Sequence, residues 1–355
     1  MAGRHGDLAR LGWDEWFESR AECGPGGAVA RVAAVDRDLL LLMDETGTFR
    51  ATVAGSYRYR NDRPQDVPAV GDWVCVERSS SGDLGLVRAL LERRTVLRRR
   101  GAGASVGCQI IAANVDCVMV VQACHYDFNI RRLERYLVMV MDGGAEACIL
   151  LTKTDLVGPE ALAAQVAAIR AAGTAAPVLT VSSVTQEGVA ALHCAMRPAR
   201  TYCFVGSSGV GKSTLINRLL GQDRLHTKDV SSTGEGRHTT VRRELVVVEG
   251  GALVIDNPGM REFGVLGAGD GIGDHFSAVA ELAAACRYRD CTHQGEPGCA
   301  VLEAVRTGAL SQGHYDSYLK LRAESEFHGM SHLEKRRKDR DFGRFIKSAK
   351  KSLDG

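Results

Sequence analysis

Short apolar runs separated by polar turns fill the first quarter of the chain. The breaks between them contain the turn residues Gly, Asp and Ser, and each run is short enough to be one strand. The runs cover residues 28–35, 39–43, 49–53, 73–77 and 84–91. Five strands of this length predict a small β-barrel such as the OB-fold, whose face commonly binds oligonucleotides.

A different pattern begins after residue 112, where apolar runs alternate with segments of helical spacing. The predicted strands cover residues 115–121, 147–151, 178–181, 201–205 and 252–255, and the predicted helices cover 130–142, 159–172, 189–196 and 214–220. This alternation predicts a parallel, doubly wound α/β sheet. The arginine-rich residues 93–112 between the two patterns are expected to form a connector.

One stretch has the spacing of a phosphate-binding loop, and it lies between a predicted strand and a predicted helix as that motif requires. Its glycines let successive N–H groups point at phosphate oxygens, and the helix N-terminus adds the positive end of its dipole. Lys212 is predicted to reach the β- and γ-phosphates, and Ser213 to hold Mg²⁺. The predicted phosphate-binding residues are Gly206, Ser207, Ser208, Gly209, Val210, Gly211, Lys212, Ser213 and Thr214.

Polar segments follow two of the predicted strands, where an α/β sheet places its ligand loops. The first segment contains Thr152, Lys153 and Asp155, and the second contains Ser182 and Ser183. The Asp155 carboxylate can accept hydrogen bonds from the N1–H and N2–H₂ edge of guanine, whereas it would repel the N1 acceptor of adenine. The second segment is expected to supply a backbone turn against the base. A helix N-cap is the alternative role for Asp155.

Two segments have the features of nucleotide switches. Asp256 ends a predicted strand shortly before Gly259, which suits a carboxylate near Mg²⁺ and an N–H near the γ-phosphate; a simple turn is the alternative. The polar, Gly-rich residues 231–240 resemble a mobile switch, in which Thr239 or Thr240 would be a second Mg²⁺ ligand.

These elements are the parts of a GTPase domain in a changed order, because the base-reading segments precede the phosphate loop and the switch segments follow it. In this order the chain resembles the circularly permuted GTPases that assist small ribosomal subunit maturation, the ribosome-small-subunit-dependent GTPase A family. The resemblance implies an α/β fold: a circularly permuted P-loop GTPase core with an N-terminal OB-like β-barrel and a C-terminal zinc-binding α-helical module. It also implies Mg²⁺-dependent hydrolysis of GTP to GDP and phosphate, stimulated by the small ribosomal subunit and its rRNA.

The resemblance places domain boundaries along the chain. An N-terminal extension is expected at residues 1–27, the barrel at 28–98, the permuted GTPase domain at 99–265, and the zinc-binding and basic helical domain at 266–355. Within the extension, a short docking helix is expected around Trp13, Trp16 and Phe17.

The chain departs from the usual GTPase pattern at two positions. Thr152 stands where GTPases usually have Asn, although its hydroxyl can still bridge the base loop and the phosphate loop. Met260 stands where many GTPases carry the Gln that orients the attacking water. Intrinsic hydrolysis is therefore expected to be slow. The resemblance makes His238 the candidate for orienting that water, beside Lys212 and Asp256 as the other catalytic candidates.

The C-terminal part of the chain contains a metal-ligand pattern within residues 286–299. Three thiolates and one imidazole with this spacing match a structural zinc site, for which a disulfide or a chance cluster are the alternatives. Residues 300–307 and 315–326 read as helices. The zinc candidates are Cys286, Cys291, His293 and Cys299, and the remaining cysteines, expected in the core or at the surface, are Cys23, Cys75, Cys108, Cys117, Cys124, Cys148, Cys194 and Cys203.

Charge is concentrated locally, since the net charge of the whole chain is only +2. Residues 334–351 hold nine Lys and Arg against three acids, and a second cluster contains Arg93, Arg94, Arg98, Arg99 and Arg100. Each of these two clusters is either an RNA-binding surface or a solvated charged face. The segment 57–60 interleaves tyrosine with arginine, which suits base stacking and phosphate contact; an ordinary exposed loop is the alternative.

The N-terminus lacks an apolar leader, and no apolar run approaches the length of a membrane span. The chain is therefore expected to be a cytoplasmic protein without a membrane partner, in a reducing compartment where cysteines are free, buried or metal-bound. It is also expected to be monomeric when free. Two further hypotheses stay open. Thr152 leaves room for an ATP-preferring hydrolase, and Met260 for an RNA-binding assembly scaffold with little turnover.

Overall fold

The computed structural model describes residues 6–37, 39–61, 63–78, 84–100, 108–221, 243–256 and 269–329. The chain forms two compact units, one of residues 1–264 and one of residues 265–355. None of the described helices is both long enough and apolar enough to cross a membrane.

A closed five-stranded barrel forms the N-terminal part of the first unit. Its strands pair in the order β1-β2-β3-β5-β4 and back to β1, and β3 and β5 are parallel while the other pairs are antiparallel. Buried Val32, Leu42, Val76 and Val87 share the core inside it. The predicted OB-like barrel is therefore confirmed. The strands are β1 (Ala28–Asp36), β2 (Leu39–Asp44), β3 (Gly47–Val53), β4 (Trp73–Arg78) and β5 (Leu84–Leu90).

The lead-in segment packs against this barrel through aromatic side chains. A 3₁₀ turn (Gly6–Leu11) precedes the short helix α1 (Glu15–Glu18), which the Asp14 side chain caps by accepting from two backbone N–H groups. The ring of Trp13 lies 4.8 Å from the ring of Trp73, and that of Phe17 lies 5.9 Å from it. The expected docking helix is present, and burial of its rings holds it in place.

Cys23 and Cys75 correct the expectation that both are unpaired cysteines. They form a disulfide that joins the lead-in segment to β4, with their Cα atoms 5.4 Å apart. The two residues are 52 positions apart, so their spacing along the chain carries no sign of the pairing. Folding of the lead-in onto the barrel brings them together.

The tyrosine- and arginine-containing segment forms a short helix, α2 (Gly55–Arg60), rather than an irregular loop. The Tyr57 hydroxyl donates to the carbonyl oxygen of Asp66 at 2.8 Å, and burial raises the pKa of Tyr57 to about 12. Tyr59 is 91% exposed. Of the two tyrosines, Tyr59 therefore has the ring that a partner could stack on.

The region predicted as a connector contains an antiparallel hairpin of β6 (Val96–Arg100) and β7 (Cys108–Ala113). The arginines nearby make ion pairs inside the protein. Arg93 binds the fully buried carboxylate of Asp72 through two N–H groups at 2.7 and 2.8 Å. Arg94 pairs with Asp14 and Asp116, and Arg98 with Asp142. These three arginines therefore hold segments of the fold together, and RNA binding by their cluster stays a prediction.

The sheet of the predicted α/β core has the order β10-β9-β8-β11-β13-β12 and is parallel except for β12, which the sequence pattern did not reveal. Its buried strands carry Val, Ile, Leu and Met, as a sheet covered on both faces requires. The elements are β8 (Cys117–Ala123), α3 (Ile130–Asp142), β9 (Glu146–Thr152), α4 (Pro159–Ala171), β10 (Val178–Val181), α5 (Val189–Ala195), β11 (Thr201–Val205), α6 (Lys212–Leu220), β12 (Glu244–Val247) and β13 (Leu253–Asp256).

The barrel and this sheet are joined in two ways. β12 pairs with β1 at Glu244 and Ala34, so both belong to one continuous sheet. The guanidinium of Arg31, which is 1% exposed, donates to the carbonyl oxygens of Leu11, Gly71 and Asn114. Burial lowers the pKa of Arg31 to about 10. One side chain thus ties the lead-in, the barrel and the core together.

The second unit is helical in its described residues. Its buried side chains include Phe276, in the turn between its first two helices, and Val279, Val301 and Leu321, each from a different helix. The predicted helix at residues 300–307 is confirmed, and the last described helix is longer than predicted. Its helices are α7 (Gly269–His275), α8 (Ser277–Ala283), α9 (Ala300–Thr307) and α10 (Gln312–Gly329), while the basic residues 334–351 lie outside the described residues.

Candidate nucleotide-binding site and metal centre

The phosphate loop connects β11 to the N-terminus of α6, as the motif predicts. Three of its glycines have positive φ: 148° at Gly206, 81° at Gly209 and 96° at Gly211. A Cβ atom on Gly206 would lie 2.2 Å from the carbonyl oxygen of Val121 on β8. Glycine is therefore required at Gly206, both for the backbone angle and for the close approach to the neighbouring strand.

The ammonium group of Lys212 is held inside this loop. Its Nζ donates to the carbonyl oxygens of Gly206 at 2.7 Å and Ser207 at 2.6 Å. Burial lowers the pKa of Lys212, and the negative charges of Asp256 and Asp127 oppose that shift. A cation fixed at a helix N-terminus, surrounded by glycine N–H groups, is suited to bind phosphate oxygens.

Thr152 joins the predicted base loop to the phosphate loop. It is the last residue of β9 and is 2% exposed. Its hydroxyl donates to the carbonyl oxygen of Val210 at 2.6 Å and also lies 3.3 Å from that of Gln122. Lys153 follows in the left-handed region with φ of 57°, which turns the chain sharply at the strand end. One hydroxyl therefore connects the two loops that a nucleotide would have to span.

Asp155 is oriented by the second predicted base segment. Its Oδ1 accepts a hydrogen bond of 2.5 Å from the hydroxyl of Ser182, which in turn accepts from the backbone N–H groups of Val184 and Thr185 at 3.1 Å each. Asp155 itself is exposed. Asp155 lies inside a 3₁₀ turn (Thr154–Leu156) whose N-cap residue is Lys153, and the N-cap residue of α4 is Gly158. Neither helix has a side-chain cap, so the N-cap alternative is not realised.

Ser183 connects the base turn to the helix that follows the phosphate loop. Its carbonyl oxygen accepts from the Arg218 side chain on α6 at 3.0 Å and from the Gln186 side chain at 3.0 Å. Neither Arg218 nor Gln122 was predicted from the sequence as a site residue. A polar Gln at the end of an otherwise apolar strand was the only signal of Gln122.

Asp256 ends β13 and is buried, 5% exposed, next to Phe204 of β11 in the sheet register. Its negative charge opposes the lowering of the Lys212 pKa. Asp256 lies at the carboxyl end of β13, beside the carboxyl end of β11 from which the phosphate loop continues. Oxygen ligands of this kind fit Mg²⁺. The other predicted switch residues, namely His238, Thr239, Thr240, Gly259 and Met260, lie outside the described residues.

The four predicted metal ligands of the second unit come together. The ligating atoms of Cys286, Cys291, His293 and Cys299 all lie within 4.8 Å of one another. His293 Nδ1 lies 3.6 Å from Cys286 Sγ and 3.5 Å from Cys299 Sγ, and those two sulfurs are 3.9 Å apart. Usual Zn–S and Zn–N bonds in a tetrahedron give edges of about 3.8 and 3.6 Å. The donor set and its spacing therefore fit one tetrahedral metal ion.

The backbone around His293 presents its ring to the sulfurs. His293 has a positive φ of 64°, and its carbonyl oxygen accepts from the Tyr315 hydroxyl at 2.6 Å. Burial lowers the pKa of His293, which favours the neutral imidazole that binds metals. Cys299 Sγ also accepts from the N–H of Leu302 at the start of α9, so one ligand is part of a helix cap.

Comparison with known proteins identifies the family. A family model described as RsgA GTPase matches residues 90–266. The small ribosomal subunit biogenesis GTPase RsgA of Opitutus terrae is 41% identical over 332 residues, which cover 90% of each chain. The protein of that name from Streptomyces coelicolor is 39% identical over 91% of this chain and 87% of its own. The chain belongs to the RsgA GTPase family.

Two crystal structures share the fold of this RsgA-family chain. One is YjeQ from Thermotoga maritima, with a TM-score of 0.64 and 22% identity over 86% of this chain and all of that chain. The other is YloQ, described as a circularly permuted GTPase, with a TM-score of 0.62 and 22% identity over 88% of this chain and all of that chain. The fold of these structures confirms the predicted circular permutation. The family model and the named relatives confirm the predicted GTPase activity.

Proposed function

We propose that this protein is a late-stage assembly or maturation factor of the small ribosomal subunit, and that this subunit stimulates its GTP hydrolysis. The observation that carries the proposal is the joint between the base loop and the phosphate loop. The Thr152 hydroxyl bonds to the Val210 carbonyl, and the Ser182 hydroxyl orients Asp155. The side chain that would bind guanine and the loop that would bind the phosphates are therefore held in place by hydrogen bonds. The names of the relatives, small ribosomal subunit biogenesis GTPase, support the partner.

In this proposal each nucleotide-binding residue has one task. Asp155 reads guanine, and the loop N–H groups with Lys212 hold and neutralise the β- and γ-phosphates. Ser213, Thr239 and Asp256 would hold Mg²⁺, which supplies further charge neutralisation on the phosphates. The attacking water approaches the γ-phosphate in line, and His238 positions it. The remaining nucleotide contacts come from Lys153, Ser183, Thr240, Gly259 and the rest of the phosphate loop.

We assign one structural zinc ion to the cluster of Cys286, Cys291, His293 and Cys299. Four protein ligands close a tetrahedral site, so it has no open position for substrate or water. A structural role follows, because such an ion stabilises a small helical unit with a limited core.

We further propose that the protein contacts rRNA, is cytoplasmic and is monomeric when free. The exposed ring of Tyr59 on the barrel supports the RNA contact, because bases stack on exposed aromatic rings. The proposed boundaries are 1–27 for the extension, 28–98 for the barrel, 99–265 for the GTPase domain and 266–355 for the zinc-binding domain.

A second candidate function is an RNA-binding scaffold with little turnover, which Met260 favours because methionine cannot orient a water molecule. An ATP-preferring hydrolase is disfavoured because the exposed Asp155 carboxylate would face the N1 acceptor of adenine.

Co-sedimentation with purified small ribosomal subunits tests the proposed partner. We expect the protein to pellet with small subunits more strongly in the presence of a non-hydrolysable GTP analogue than with GDP, and not with large subunits. Lys212→Ala should abolish this nucleotide dependence. Equal pelleting with both nucleotides and with the variant would favour the scaffold, and equal pelleting with large subunits would contradict the proposed partner.

A further inference from the structure

The turn that follows β10 is closed by its own hydrogen bonds. The Ser182 N–H donates to the carbonyl oxygen of Glu187 at 3.0 Å, so the two ends of the turn are joined. Gly188 follows with a φ of 76°, and a Cβ atom there would lie 1.9 Å from the carbonyl oxygen of Thr180. Glycine at this position therefore lets the turn lie directly against β10.

Ser183 lies within this turn and presents two backbone groups. Its carbonyl oxygen accepts from the Arg218 guanidinium at 3.0 Å and from the Gln186 side chain at 3.0 Å. Its N–H has no acceptor among the residues that the structure describes. The C6 oxygen of guanine is an acceptor, whereas adenine carries an amino donor at that position. A backbone N–H that is held in the right direction can therefore distinguish the two bases.

Arg218 belongs to the helix that also carries the lysine of the phosphate loop. It lies in the last turn of α6, which begins at Lys212, about 9 Å away along the helix axis. Buried Leu215 and Leu219 of α6 are in the same hydrophobic cluster as Val181, the last residue of β10. The helix and the strand are thus packed together, and the hydrogen bond from Arg218 to the turn adds a polar contact at the surface.

This hydrogen bond suits the positioning of the turn better than the stabilisation of the fold. Arg218 is exposed, and a hydrogen bond at the surface contributes little to the free energy of folding because water competes for both groups. The Ser183 N–H, however, lies between two anchored groups, the Ser182 N–H and the Ser183 carbonyl. Its direction is therefore restricted from both sides.

We propose that Arg218 is a positioning residue for guanine selectivity. By holding the Ser183 carbonyl, it fixes the base turn to the helix of the phosphate loop and directs the Ser183 N–H at the C6 oxygen of a bound guanine. This inference rests on the proposed base site, in which Asp155 binds the N1–H and N2–H₂ groups of the same base. Arg218 does not touch the nucleotide and acts only through the turn. It is a second connection between base-binding and phosphate-binding segments, beside that of Thr152.

The test removes the guanidinium and compares the variant with a matched control. Arg218→Met keeps most of the apolar stem and deletes the charged donors. Arg170→Met is the control, because Arg170 also lies in the last turn of a helix, α4, and donates to a loop carbonyl, that of Ala176 at 2.8 Å. Affinities for GDP, ADP and inorganic tripolyphosphate are measured by competition with fluorescently labelled GDP.

We expect Arg218→Met to weaken GDP binding by about 3- to 10-fold, the value of one hydrogen bond, and to leave the binding of ADP and tripolyphosphate unchanged. The preference for GDP over ADP therefore falls by the same factor, which a merely structural role of Arg218 would not change. Arg170→Met should bind all three ligands as the natural chain does.

An unchanged preference for GDP in Arg218→Met would overturn the inference, and so would an equal loss for all three ligands, which would show that the charge of Arg218 acts on the phosphates alone. Should Arg218→Met not fold, Arg218→Gln, whose shorter side chain lacks the guanidinium, must lower the preference for GDP, and its full retention would also overturn the inference. Failure of the natural chain to prefer GDP over ADP would instead contradict the proposed base site, so the two failures are distinguishable.

Discussion

The side-chain hydroxyl of Thr152 lies 2.6 Å from the carbonyl oxygen of Val210, although the two residues are 58 positions apart in the chain. Thr152 ends the strand that leads to the base loop, and Val210 belongs to the phosphate loop. In most GTPases an asparagine occupies this position, and an amide has two N–H donors where threonine has one hydroxyl. A single donor is enough to make the connection here, because both acceptors lie within its reach.

Thr152→Val should therefore remove the hydrogen bond between the two loops and weaken nucleotide binding. Valine keeps the shape of threonine but leaves the Val210 carbonyl without its partner, so GTP and GDP affinity should fall by about 5- to 30-fold. Thr152→Asn should retain affinity. Fluorescence titration with labelled GDP provides the measurement.

Thr201→Val is the matched control for that substitution. The Thr201 hydroxyl is also buried, at the opposite end of β11 from the phosphate loop, and it has no hydrogen-bond partner among the described residues. Its removal should leave nucleotide affinity unchanged. Equal affinity of Thr152→Val and Thr201→Val would show that the loop connection does not contribute to binding.

Asp155→Asn should change the base preference of the site. The amide cannot accept two hydrogen bonds from the guanine edge, so GTP affinity should fall by about 10- to 100-fold, as expected for a hydrogen bond to a charged group. An N–H₂ group at this place can donate to the 2-oxo group of xanthine, so xanthosine nucleotides should bind better than they do to the natural chain. Competition titrations with GTP, ATP and XTP measure this preference, and an undiminished preference for GTP would remove Asp155 from the base site.

The cysteine and histidine cluster should contain about one zinc ion per chain. Cys291→Ser should lose that zinc and lower the thermal midpoint, because metal binding contributes directly to the folding of such a unit. Cys194→Ser is the control, since Cys194 is an exposed free cysteine on another element. Elemental analysis after dialysis measures the zinc content per chain, and full zinc content in Cys291→Ser would contradict the assignment.

The disulfide between Cys23 and Cys75 should stabilise the folded barrel and its lead-in. Closing a loop of 52 residues is worth about 4 kcal/mol in the chain-entropy model. Adding a reductant should therefore lower the unfolding midpoint of the natural chain. The same addition should have no effect on Cys23→Ser, and an identical response of both chains to reductant would show that the bond does not stabilise the fold.

Most of the fold could be predicted from local patterns. The continuous apolar runs predicted β8, β9 and β11, because the strands of a parallel sheet that is covered on both faces are apolar throughout. Helical spacing placed α3 at Ile130–Asp142, as the structure has it. The phosphate loop was predictable because its glycines and Lys212 have a fixed spacing that the chemistry of phosphate binding imposes.

The features that were missed depend on contacts between distant segments. Residues 93–100 look like a basic connector because their partners Asp14, Asp72, Asp116 and Asp142 are far away in the chain. The Cys23–Cys75 bond and the pairing of β12 with β1 were missed for the same reason, because their partners are also distant in the chain. In the site, Gln122 could not be singled out, since a polar residue near the end of a strand has many uses.

We expect the small ribosomal subunit to stimulate GTP hydrolysis by this protein, and steady-state phosphate release measures that stimulation. GTP hydrolysis is measured for the protein alone, with purified small subunits and with purified large subunits, beside Lys212→Ala. We predict slow turnover alone, stimulation by small subunits of about tenfold or more, none by large subunits, and none in the variant. A rate that small subunits leave unchanged, or that Lys212→Ala retains, would contradict the proposed function.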